Sequence, residues 1–207
     1  MTKYDPKMGR LESQTLIHSS MGVQSNQGGG AHHANDPTQD DQRIIFLAGE
    51  IDEHTTTATI AQMFLLSKMS AVKPIHLIIN SPGGSIYDMF ALYDAIKFVP
   101  APVETIGMGK IMSAGVLLLA AGTKSCRKIS KHATVMMHQA WYNSEGNVFS
   151  QRVELKETER LQSVAEQCIA DESRQSIEVI HAIMEKGQDH YMSADDAIKL
   201  GLADCLL

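Results

Sequence analysis

"IHLIINSPGGSIYDMFALYDAIKF", Ile75 to Phe98, holds one complete structural unit. Ile75–Asn80 is a short apolar run of strand length and composition. It passes straight into "SPGGS", Ser81 to Ser85, a glycine turn. Ile86, Met89, Phe90, Tyr93 and Ile96 then recur at helical spacing, so the next segment is a helix with one apolar face. The same order appears on either side. Upstream, "RIIFLAG" from Arg43 reads as a strand, followed by a helix over Thr55 to Ser70 with Ile60, Met63, Phe64 and Met69 on its apolar face. Downstream, "VETIGM", Val103 to Met108, reads as a strand, and "GKIMSAGVLLLAAG", Gly109 to Gly122, as the helix after it. Strand, turn and helix repeated three times predict an α/β fold, a parallel sheet covered by helices. In such sheets ligands sit beyond the carboxyl ends of the strands.

Composition narrows the function. The chain has 207 residues, 43% hydrophobic and 20% charged, which is ordinary for a soluble domain. Its net charge is −6 and its Lys and Arg are scattered, so no track for a phosphate backbone is expected and nucleic acid is excluded as a partner. Cys126, Cys168 and Cys205 are odd in number and widely spaced, which predicts neither disulfides nor a zinc site and fits a reducing cytoplasm. The longest apolar run, "AGVLLLAA", falls far short of the roughly 20 residues that span a bilayer, and the N-terminus lacks an apolar signal core. No membrane or export is expected. Residues 1–41 are polar and glycine-broken and read as a flexible tail, leaving 42–207 as the folded domain. His32 and His33 in that tail read as solvated imidazoles rather than metal ligands.

The strand-end rule gives the lone hydroxyl of the third unit, Ser113, an address where strand hands over to helix. "SPGGS" lies at the equivalent end of the second strand, where Gly83 and Gly84 allow close approach to a ligand. The N–H groups of Gly84 and Ala114 are candidates for an oxyanion hole. A nucleophilic serine also needs a base and a group to orient that base. "TVMMHQA" puts His138 at the end of a short apolar strand, and "GQDHYMSADDA" puts Asp189 between a helix end at Gly187 and a helix capped by Ser193. Taken singly, each has a plainer reading as a packing serine, a surface histidine or a capping aspartate. Trp141, just past the histidine, is open between packing on substrate and packing on a neighbour. Met136 and Met137 read as core or pocket lining. Ile111 stands where the nucleophile elbow of α/β-hydrolases, G-x-S-x-G, has its first glycine, which argues against that fold.

Together, "INSPGGS", "GMGKIMSAG", "LLLAAGTK", "VMMHQA" and "DHYMSADDAIKLGLAD" resemble, in order and spacing, the blocks of the ClpP family, the proteolytic subunits of Clp proteases. The resemblance covers roughly Arg43 to Asp204. It implies a crotonase-like spiral of strand-turn-helix units with a projecting handle helix, here the amphipathic segment Glu145 to Arg174 with Val153, Leu161, Val164, Cys168 and Ile169. It implies Ser113 as nucleophile, His138 as general base, Asp189 as orienting acid, and the backbone of Gly84 and Ala114 as oxyanion hole, with no metal or organic cofactor. It also implies a homo-oligomer of seven-membered rings, single or stacked in pairs, acting on peptides or unfolded proteins with an AAA+ unfoldase as partner.

Departures from the family pattern carry their own expectations. Ile111 and Met112 replace two alanines, predicting a bulkier wall beside the serine and narrower peptide access. Ala140 replaces the proline after the His-Gln pair, and "WYNSEGNV" a glycine-richer start of the handle. Gly187 and Gln188 replace a charged pair that bridges rings, predicting weaker ring stacking, while His76 and Ile78 replace docking-pocket tyrosines and predict weak unfoldase binding. Two other classes remain at this level: a ring subunit kept for assembly, and a crotonase-like acyl-CoA enzyme. The first leaves an intact triad without a purpose; the second leaves the Ser, His and Asp blocks unexplained.

Overall fold

The computed structural model describes residues 43–143, 145–185 and 187–207. The expected tail over 1–41, with His32 and His33, lies outside the described residues. All described residues fall within one unit, Pro37–Leu207.

The elements run β1 (Ile44–Ile51), α1 (Glu53–Met69), β2 (Ile75–Gly84), α2 (Ile86–Phe98), β3 (Val103–Met112), α3 (Ala114–Ala120), β4 (Arg127–Ile129), β5 (Thr134–Met137), α4 (Val148–Ser173), α5 (Ile177–Met184), β6 (His190–Ser193), α6 (Ala194–Lys199) and β7 (Cys205–Leu206). Among the described residues one sheet of seven strands is ordered β1-β2-β3-β4-β7, with β5 on β3 and β6 on β5. Every pairing is parallel except the antiparallel β5–β6. The α/β fold with a helix-covered parallel sheet is therefore present as expected.

Two segments read as turn or helix belong to strands instead. The "SPGG" segment continues β2, pairing Gly83 with Glu50 and Gly84 with Ile51 after register shifts that absorb the irregularity. A Cβ on Gly84 would overlap the Ile51 backbone, so only glycine lets the two strands run this close. Likewise Gly109–Met112 extends β3, and the helix that follows has only seven residues. That helix, α3, is apolar on every side and buried on every side, as such a helix must be. Its residues join Ile45, Leu47, Leu77, Ile79, Leu92 and Ile111 in the main core.

Helix α1 follows its expected apolar pattern at Ile60 and Met63, which pack on the core, and departs from it elsewhere. It turns Thr56, Thr59, Met63 and Ser67 to the core and leaves Phe64 and Met69 exposed. Phe64 instead meets Phe98 of α2, ring centroids 5.7 Å apart, on the outside of the pair. In α4 the buried face is confined to its second half, with Leu161, Ala165, Ile169 and Ala170, while Val148, Phe149, Val153 and Leu155 of the first half are exposed. Asn147 caps this helix by accepting from the N–H groups of Phe149 and Ser150.

Candidate active site

The fork of β3 assembles the site. Thr105–Gly107 pairs with β4, whereas Lys110–Met112, further along the strand, pairs with β5 through Ile111↔Val135 and Met112↔Met136. Because β3 and β5 are parallel and in this register, both end on the same edge. Ser113 follows β3 and donates its N–H to the Met136 carbonyl at 2.8 Å; His138 follows β5. Antiparallel β6 then returns alongside, with His190 opposite Met137, so Asp189 arrives beside His138. Three residues remote in sequence are thus set side by side by strand register.

At the turn, Ser113 has φ 52° and ψ −119°, a conformation that L residues rarely adopt and that costs of order 1–3 kcal/mol. The space it needs comes from another strand. A Cβ on Gly83 would lie 2.6 Å from Ser113 Cβ and 3.1 Å from the Ala114 nitrogen. Gly83 itself has φ 98°. The serine is thus presented on a strained strand-to-helix turn, without a glycine two residues ahead of it, because Gly83 leaves the room.

His138 Nε2 is 2.8 Å from Ser113 Oγ, and the imidazole is largely buried. Asp189 stands close without bonding: its Oδ1 is 3.8 Å from His138 Nδ1, and its Oδ2 accepts the Tyr191 hydroxyl at 3.2 Å. That contact raises the phenol's pKa, since the hydroxyl donates to a carboxylate. The Nδ1 atom is occupied by Trp141, whose indole Nε1–H reaches it at 2.9 Å, a contact that sequence reasoning missed. The loop past the histidine is tied to α4, because the Ala140 N–H donates to Gln162 Oε1 at 2.7 Å and Gln162 Nε2 donates to the buried Glu166 at 2.7 Å. Glu166 in turn pairs with His181 Nδ1 at 2.8 Å, which raises the histidine's pKa.

Ser113 and His138 face a cavity of about 630 Å³, whose lining also includes Gly84 and Ala114 but not Asp189. Its interior is apolar, with Met89, Met136, Met137, Leu161, Ala165, Ile169 and Met184; Glu50, Tyr87, Trp141 and Glu154 are exposed members of its lining. Such a cavity suits a ligand with a large apolar group. Ile111 and Met112 are not part of it. Ile111 is fully buried in the core, packed near Gly107, so the expected narrowing of peptide access by Ile111 is corrected. Alternation along β3 sends Ile111 inward instead of toward the site. Among the described residues no cluster of His, Cys, Asp or Glu could hold a metal ion, and no helix is long and apolar enough to cross a membrane.

The Clp protease sequence profile matches residues 30–207, all of the described domain and most of the chain. With a parallel α/β sheet of the kind that family uses, and the serine and histidine blocks meeting at its strand ends, the chain belongs to the Clp protease family.

Proposed function

We propose that this chain is a serine-type endopeptidase that cuts peptides and unfolded polypeptides by an acyl-enzyme route. The observation that carries the reading is the 2.8 Å approach of His138 Nε2 to Ser113 Oγ at the wall of an apolar cavity. Ser113 Oγ attacks the scissile carbonyl while its proton passes to His138 Nε2. The tetrahedral oxyanion is held by the N–H groups of Gly84 and Ala114, and the C–N bond then breaks as Nε2 returns the proton to the leaving amine. Water repeats the sequence to release the acyl group. Asp189 orients the imidazole and stabilises its charged form once it reaches Nδ1. No step needs a metal or an organic cofactor.

Residues 42–207 form the peptidase domain in this reading, with 1–41 as a tail. The protein works as a cytoplasmic homo-oligomer of seven-membered rings, and its partner is an AAA+ unfoldase. The exposed apolar residues on the first half of α4 support a subunit contact there. The test is labelling by a fluorophosphonate probe with the modified residue mapped. Ser113→Ala abolishes labelling and lowers peptide hydrolysis by about 10⁴-fold or more, with circular dichroism unchanged. Undiminished hydrolysis by a well-folded Ser113→Ala protein overturns the mechanism.

A further inference from the structure

We propose that Trp141 is a positioning residue that holds the site at rest by competing with Asp189 for Nδ1 of His138. The inference rests on the serine peptidase reading and adds a control to it. An indole N–H can only donate, so the 2.9 Å contact requires a lone pair on Nδ1. A neutral imidazole with its lone pair on Nδ1 carries its hydrogen on Nε2. In that tautomer Nε2–H donates to Ser113 Oγ across the 2.8 Å contact and has no lone pair with which to take the hydroxyl proton. The ring therefore faces the serine as a donor when the reaction needs an acceptor.

The position of Asp189 agrees. Its carboxylate can only accept, so it can bond Nδ1 only when that atom carries hydrogen; it stands 3.8 Å away and takes the Tyr191 hydroxyl at 3.2 Å instead. Trp141 and Asp189 thus demand opposite tautomers of one ring, and in this state the tryptophan holds it. Little resists its departure. The indole is 86% exposed, so rotation about its side-chain bonds frees Nδ1 without disturbing the core. Activation then consists of moving the imidazole hydrogen from Nε2 to Nδ1 and bringing Asp189 onto it.

The full-length protein, wild type and Trp141→Phe, is treated with the fluorophosphonate probe. In that reaction the Oγ–P bond forms, fluoride leaves and the serine proton goes to Nε2. Phenylalanine keeps an aromatic ring but cannot donate, so the labelling rate constant should rise about two- to tenfold, the worth of one neutral hydrogen bond. A second readout uses the fact that Trp141 is the only tryptophan. Protein labelled with ¹⁵N-tryptophan gives a single indole N–H resonance, which should move when His138→Ala removes its acceptor. Equal labelling rates in wild type and Trp141→Phe, or an indole resonance identical in wild type and His138→Ala, overturn the role of Trp141 while leaving the peptidase reading intact. Absence of Ser113 labelling in both proteins overturns the peptidase reading, and this inference falls with it.

Discussion

Ser113 sits on a strained turn that has room only because the residue facing it on a different strand is a glycine, so Gly83 is the place where an added methyl group bears most directly on the nucleophile. Gly83→Ala puts that methyl 2.6 Å from Ser113 Cβ at a backbone angle that favours glycine. The serine must shift, and a misplacement on the scale of an ångström lowers turnover by about a hundredfold. Fluorophosphonate labelling of Gly83→Ala should fall accordingly while the helix content stays. Ile111 is the opposite case, because it is buried in the core and absent from the cavity wall. Ile111→Ala should cost about 2–5 kcal/mol in urea unfolding and leave the relative cleavage of small and bulky peptides unchanged. A selective gain for bulky peptides would return Ile111 to the substrate path.

Two ion pairs that tie elements together give stability opposite dependences on pH. Arg127, at the start of β4, is buried and donates to Asp204 Oδ2 at 3.0 Å, to the Ala120 carbonyl that ends α3 and to the Glu172 carbonyl on α4. Burial pushes the Asp204 pKa up, but the guanidinium and backbone N–H of Arg127, with the Ser125 backbone, together outweigh it and hold the carboxyl below its usual range. A depressed folded value means that the stabilisation is present above the unfolded pKa and is lost as the pH falls through the folded one. Asp204→Ala, which leaves Arg127 buried without its counter-charge, should lower unfolding free energy by about 3–5 kcal/mol. His181 on α5 runs the other way. Its hydrogen bond to Glu166 of α4 raises its pKa, so this contribution is complete below about pH 6.5, the ordinary histidine value, and is lost as pH rises through the elevated folded value. Melting temperatures followed from pH 5 to 9 should show that alkaline loss in the wild type and a flatter profile in His181→Gln.

For the molecule as a whole, the apolar residues left outside the core are the main physical pressure toward assembly. Val148, Phe149 and Val153 on α4 are exposed, as are Phe46, Phe64, Leu65, Met69 and Phe98 on β1, α1 and α2. Large apolar side chains gathered on surface elements mark surfaces that become buried by association. Native mass spectrometry at micromolar concentration should find ring-sized oligomers, and paired Phe149→Asp and Val153→Asp changes should shift them to smaller species. A strictly monomeric wild type would exclude the ring. If rings form, single and double rings should exchange, because Gly187 and Gln188 carry no charge at the positions where the family resemblance implies an inter-ring pair.

Much of this was legible in the chain because it is local. The three strand-turn-helix units follow from apolar spacing within about twenty residues, and Ser113, His138 and Asp189 stand at element ends that such spacing marks. The resemblance of short blocks to the Clp proteases then gave their roles as an expectation. Packing decided the rest. Whether "SPGG" is a turn or a strand depends on Ile51 lying close enough to pair with Gly84, and whether Ile111 faces substrate or core depends on its place in a pleat shared with Val135. Helix α1 puts Met63 in the core as its apolar spacing predicts, but turns Thr56, Thr59 and Ser67 inward beside it and leaves Phe64 and Met69 on the outer surface. The partner of His138 Nδ1 is likewise set by which side chain reaches it in space: Trp141 bonds it at 2.9 Å while Asp189 stays at 3.8 Å, and no spacing along the chain ranks those two distances.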